Sequence, residues 1–317
     1  AMAAASGNGK IAGGIAAGTA GSAIGTFLAH TRAEETTADQ IGARYMMRAG
    51  SDASAALDVL EIFRGQEALS VSRQDAYART HPLSAERIRA LKGAIAAYGG
   101  ARRVAVSRAL KYRHARMVAK FRGFLGNPSY TLRHMPKSDR SQAAMMTRAI
   151  AHHRQGRAKE AVAIMNGLIA KNPNDPYYHE LKGQILLEGR MAGPGVTAYR
   201  RAVALAPGEP LILAGLGRAL LSLRTSAGDR KALDTLRRAR AIDGRDSRML
   251  RDLAVAWAKT GNNGMASLVT AERYALLARF KDARTNATRA EGLLPRGSAG
   301  WLKAQDIIAA ADTFLKD

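Results

Sequence analysis

KNPNDPYYHELKGQILLEGRMAGPGVTAYRRAVALAPGEP, Lys171 to Pro210, is the stretch whose reading decides the fold. Two short polar turns bracket it, NPND at Asn172 and APGE at Ala206, and they place Pro173 and Pro207 one 34-residue period apart. Proline has no N–H and a fixed φ, so each of these turns ends one helix and admits the next. Between them Gly183, Gly195 and Ala202 fall where two antiparallel helices must touch, and Tyr199 takes the bulky position. Outward from this unit the pattern repeats. Ala149 and Ala161 hold the small positions of the unit before it, and Gly217, Ala232 and Ala239 those of the unit after it, past a short insertion at TSAGD. Beyond Asp243 the period loosens, with helices expected over 247–260, 266–278, 281–294 and 300–316. Paired helices approach closely only where small side chains meet, and each pair buries its remaining apolar face on the next.

A helix-turn-helix repeat of this length resembles the tetratricopeptide repeat (TPR). The competing architecture is an unrelated helical bundle, and the fixed period favours the repeat. Residues 137–317 are therefore expected to form a TPR-like α-solenoid. Such a tail is a binding surface whose sequence does not name its ligand.

Upstream, residues 1–136 read as a separate domain in three pieces. A Gly/Ala-rich segment occupies 1–30. Helices over 34–48 and through ASAALDVLEIFR follow, split by the turn AGSDAS, with Gly50 ending the first and Asp52 or Ser51 capping the second. A loop at THPLS, 80–84, precedes helices over 84–98 and 101–125. Asn127–Pro128 and Met135–Pro136 then break the chain. Everything after residue 30 is expected to be helical.

The helix over 34–48 carries the chemistry. In EETTADQIGARYMMRAG, Glu34 to Gly50, Glu35 and Asp39 are one helical turn apart and share a face. Two acids near a helix start are also what the macrodipole favours, so the pair by itself is a modest signal. Ala38 and Gly42, on a neighbouring stripe, are small enough to admit another helix close to this backbone.

The string Glu35-Thr-Thr-Ala38-Asp39-Gln-Ile-Gly42 resembles the second signature of the Ste-type and BepA-type zinc metalloproteases, bacterial members of which carry a TPR tail. THPLSAERI from Thr80, RHARMVAKFRGFL from Arg113, PYYHELKGQILLEGR from Pro176 and GSAGWLKAQDI from Gly297 are similar to family segments and follow in the family's order. The resemblance implies a zinc site of two histidines from HExxH and one glutamate from this helix. Glu35 matches the glutamate ligand. Asp39 matches an aspartate that accepts a hydrogen bond from a ligating histidine. His81 matches a histidine at the edge of the active-site cleft. It further implies a periplasmic metalloendopeptidase in protein quality control, acting on protein or peptide substrates and reaching envelope assembly machinery through its TPR tail.

One departure is sharp. No HExxH occurs in the sequence; the family places it ahead of the ExxAD helix, hence upstream of Ala1. The seven histidines offer no substitute: HELKG at His179 lacks the second histidine, and adjacent His152 and His153 point about 100° apart on a helix. With one ligand of a needed three or four, the chain alone is expected to be inactive. A non-catalytic TPR adaptor is the alternative reading.

Composition narrows the remaining classes. The absence of cysteine removes thiol nucleophiles and Cys-based metal sites. The net charge of +23 invites a nucleic-acid or anionic-membrane reading. The basic residues are however spread through every helix without interleaved aromatics, so no nucleic-acid partner is expected, and a basic surface beside a membrane fits better. Ile11 to Ala29 carries no charge but is mostly Gly, Ala, Ser and Thr, too weakly apolar for a spanning helix. No signal peptide is visible at the start. GxxxxGK[ST] and GxSxG are both missing, and GNGKIAGG near the start reads as flexible linker.

Overall fold

The computed structural model describes residues 33–65, 73, 85–98 and 106–315, and every regular element among them is an α-helix. The Gly/Ala segment and the THP loop with His81 lie outside the described residues. The chain divides into two compact units, Ala1–Lys111 and Tyr112–Asp317.

In the first unit, helix α1 (33–48) turns through Gly50, at φ 72°, into α2 (Ser54–Ile62), and α3 (Ala85–Ala97) completes a small core. Asp52 accepts hydrogen bonds from the Ser54 backbone N–H (2.9 Å) and hydroxyl (2.7 Å), which starts α2 as its sequence suggests. The core gathers Ala43, Ala53, Leu60, Ile88, Leu91 and Ile95. Ala38 is exposed, and among the described residues nothing lies within 4 Å of a Cβ placed on Gly42. The apolar stripe of α1 runs instead through Ala43, Met46 and Met47, about one helical turn apart, and that stripe sets which face is buried.

Helix α4 (Arg108–Leu125) starts later than the expected residue 101, because Ser107 Oγ accepts from Leu110 N–H (3.2 Å) and caps it there. The break at Asn127–Pro128 opens another helix, α5 (Pro128–His134): Asn127 accepts from Tyr130 N–H and Pro128 sits in the first turn. Ten helices then alternate as α6 (Gln142–Arg154), α7 (Ala158–Lys171), α8 (Pro176–Glu188), α9 (Ala192–Leu205), α10 (Pro210–Leu221), α11 (Ser226–Ile242), α12 (Ser247–Lys259), α13 (Asn263–Leu276), α14 (Phe280–Leu293) and α15 (Ala299–Phe314). The helices expected beyond Asp243 are all present.

The second unit is a TPR-like solenoid, and its period is written in the backbone. Gly156, Arg190 and Arg224 are left-handed, at φ 74°, 62° and 55°, one 34-residue step apart at the turns inside successive helix pairs. Each lets the following N–H or its own fold back on the last carbonyls of the first helix, as Met191 N–H does on Leu186 O (2.8 Å). The small positions read from the sequence are closed: Ala149, Ala161, Ala202, Ala232 and Ala239 are all 0% exposed. Tyr199 of α9 inserts its ring between Gly183 of α8 and Gly215 of α10, where a Cβ on either glycine would overlap the ring carbons. Gly217 makes the same allowance for Leu236.

Helix α4 is fastened to the first two pairs. Ala119 and Gly123 bring it against α6, where a Cβ on Gly123 would sit 2.8 Å from Ile150. Asp175, which caps α8 by accepting from Tyr177 N–H, also accepts from Tyr112 Oη (2.6 Å) and Arg116 (2.8 Å). Lys120 pairs with Glu180 at 2.7 Å.

Gly215→Ala is expected to destabilise the second unit by about 1–3 kcal/mol, because its methyl must displace the Tyr199 ring. Gly208→Ala, where a Cβ meets nothing within 4 Å, should stay within about 0.5 kcal/mol of the parent. Urea unfolding followed by circular dichroism reads both.

Candidate functional site

Glu35 and Asp39 project from one face of α1 toward a single guanidinium, that of Arg87 in the first turn of α3. Arg87 Nε donates to Asp39 Oδ2 at 2.6 Å and Nη2 to Asp39 Oδ1 at 3.1 Å, a two-pronged grip across 48 residues of sequence. The same Nη2 lies 3.1 Å from Glu35 Oε2. The Arg87 side chain is 3% exposed, while the two carboxylates keep 19% and 18% of their surface. Both carboxylates thus meet one buried guanidinium and keep part of their surface open to solvent.

The local sequence explains the grip. Arg87 precedes Ile88 and Leu91, which enter the core of the first unit and carry its stem inward. A cation in the first turn of a helix opposes the macrodipole, so a buried arginine there needs acidic partners. The helical spacing of Glu35 and Asp39 supplies two. The structure thus brings together the two site residues expected on α1 and adds Arg87, which sequence reasoning missed although it lies within the quoted segment THPLSAERI. His81, in the same segment, lies outside the described residues.

Among the described residues the pair does not amount to a metal centre. Among the described residues no group of three His, Asp or Glu side chains is placed to hold a metal ion. Several of the described histidines are employed elsewhere. His179 Nε2 contacts Pro173 O at 2.9 Å, His153 Nε2 contacts Glu188 Oε2 at 2.7 Å, and the His134 ring stacks on Tyr130 with centroids 3.9 Å apart. Two carboxylates that share one guanidinium do not by themselves fit a zinc ion, which takes three or four ligands.

Comparison with known proteins bears on both units. Residues 1–95 match the family model of Peptidase family M48. Residues 131–185 match that of a tetratricopeptide repeat. An M48-type peptidase segment ahead of a TPR tail is what these two matches describe, in the order read from the sequence. No curated protein matches. Among solved structures, MamA (residues 41 to the end) from Desulfovibrio magneticus RS-1 is 17% identical, over 53% of this chain and 96% of that one, with a TM-score of 0.44. A thermophilic TPR protein of Thermus thermophilus is 18% identical, over 52% and 95%, with a TM-score of 0.35. Pseudomonas aeruginosa pilF is 12% identical, over 61% and 96%, with a TM-score of 0.40.

Arg87→Met should cost the first unit on the order of 3 kcal/mol, the usual penalty for stripping the partner from half-buried charges. In an Asp39→Asn, Glu35→Gln background the same change should cost clearly less, and a thermal double-mutant cycle measures the difference.

His152 generates a pH prediction. Its Nδ1 is buried without a hydrogen-bond partner among the described residues, and burial pushes its imidazole below the ordinary value of 6.5, with the Arg157 guanidinium pushing the same way. The unfolded chain therefore takes up a proton that the native one resists, and this part of the stability is present above the ordinary value and lost as pH falls below it. His152→Leu should flatten the decline in melting temperature between about pH 7 and pH 5.5.

Proposed function

We propose that this chain works as part of a zinc-dependent metalloendopeptidase of the cell envelope, with the TPR solenoid presenting protein substrates or partner proteins. The observation that carries the reading is the carboxylate pair of α1, Glu35 and Asp39 one turn apart, inside the segment that matches Peptidase family M48. In this reading Glu35 is the chain's metal ligand and Asp39 the group that orients a ligating histidine, with two histidines contributed from outside the present sequence. Zinc, when bound there, would supply the Lewis acid for peptide hydrolysis. What the chain's own residues do is positional. Arg87 holds both carboxylates on the buried side of α1, fixes the rotamer of Asp39 through two hydrogen bonds, and leaves the outer carboxylate edges accessible.

The periplasm is the compartment that agrees with this activity, and protein quality control is the role. The TPR tail would reach envelope assembly machinery, and the basic surface would sit beside an anionic membrane. Among the described residues no helix is long and apolar enough to cross a membrane.

A second reading has its own support. Because the sequence has no HExxH and Glu35 already answers a buried arginine, the first unit would also serve as a static base for a non-catalytic TPR adaptor.

Elemental analysis decides between the two. The product of the natural gene, with any residues encoded upstream of Ala1, should hold zinc and cleave an unfolded protein substrate. Glu35→Gln should remove both while the helical signal of the solenoid stays unchanged, and His81→Ala should slow cleavage without lowering the melting temperature. Cleavage unaffected by Glu35→Gln would take this residue out of the metal site, and a zinc-free natural product would establish the adaptor.

A further inference from the structure

Within the second unit, the solenoid opens a groove of about 700 Å³ between α12 and α14, with α13 as its floor. Three arginines line it, Arg251, Arg273 and Arg289, and no acidic side chain does. Their charge is poorly answered. Arg251 leans on Asp252 at 3.0 Å, a carboxylate that already accepts from Arg218 at 2.7 Å. Arg273 Nε donates to the neutral backbone oxygen of Ser247 at 3.1 Å. Arg289 is exposed and has no ion pair or hydrogen bond among the described residues. Of the three lining arginines only Arg251 meets a carboxylate, and it shares that one with Arg218.

The edges carry a further sign of an unfilled place, and Ser267 lines the floor. Val255 and Leu293 also line the groove, yet they remain 41% and 55% exposed. The groove therefore offers cations, one hydroxyl and aliphatic side chains together.

We propose that this groove binds an extended peptide segment of a partner protein in which carboxylate side chains alternate with small aliphatic ones. Alternate residues of an extended chain point to the same side about 7 Å apart, so such a segment can turn its carboxylates to the arginines and its aliphatic groups to Val255 and Leu293. This deepens the partner-binding role proposed for the TPR tail and rests on it. Nucleic acid suits the groove less well. Base stacking needs a free aromatic face, and the one aromatic ring in the lining, Tyr274, already carries Arg273 and Arg279, 5.4 Å and 4.6 Å from its centroid.

The test uses the whole chain and a fluorescein-labelled nonapeptide alternating Glu with Ala and Val, read by fluorescence anisotropy. Its twin with Gln in place of each Glu and a labelled single-stranded oligonucleotide run beside it. The acidic peptide should bind and weaken as salt is raised, and the Gln twin should bind about ten-fold or more weakly. Arg289→Glu, a change at an exposed residue that leaves packing intact, should weaken the acidic peptide by a similar factor with unchanged circular dichroism, and Ser267→Ala by a few-fold. Equal binding of the two peptides, or an unchanged affinity in Arg289→Glu, would overturn the proposal. So would an oligonucleotide that binds more tightly than the peptide and is lost in Arg289→Glu. None of these outcomes touches zinc or cleavage at Glu35, so a failure here and a failure of the peptidase reading are separate results.

Discussion

The close approach of helices at small residues is the constraint on which the second unit rests. Tyr199 fills the space that Gly183 and Gly215 leave empty, and so ties three consecutive helices, α8, α9 and α10, with one ring. A Cβ at either glycine would occupy the volume of the ring, and interiors packed to crystal density have no slack to absorb it. The fully buried alanines Ala149, Ala161, Ala202, Ala232 and Ala239 act in the same way along the solenoid. Because each helix pair meets only its neighbours, these contacts set the stacking one step at a time.

Polar groups then fix what the close packing permits. Asp175 begins α8 and simultaneously receives Tyr112 and Arg116 from α4, so one carboxylate both caps a helix and seats another across it. Burial and this hydrogen bond push the Tyr112 hydroxyl well above the ordinary phenol range, which keeps it a donor at every physiological pH. Asp252 serves similarly between α10 and α12, accepting from Arg218 while Arg251 flanks it. In a chain with so few acids for its many bases, carboxylates are the scarce component, and Asp252 and Glu272 each answer more than one cation. The α12–α14 groove is where that supply runs short.

In the first unit two carboxylates meet one arginine, and the burial of Arg87 at 3% exposure holds Glu35 and Asp39 in place on one face of α1. Among the described residues that face does not complete a metal site, and the functional reading follows from it together with the M48 match over residues 1–95.

The sequence by itself determined the helical class, the repeat length and the helix on which the acids sit. Those features are local: a proline spacing, a small-residue rhythm and a one-turn separation are all legible along a single chain. It did not anticipate the start of α4 at Arg108, where one serine caps the helix, or the exposure of Ala38. Only the tertiary structure decided that Arg87 reaches across 48 residues to grip Asp39, and that α12, α13 and α14 bring three arginines to the lining of one groove. Partners distant in sequence are chosen by which faces the core buries, and no spacing along the chain records that choice.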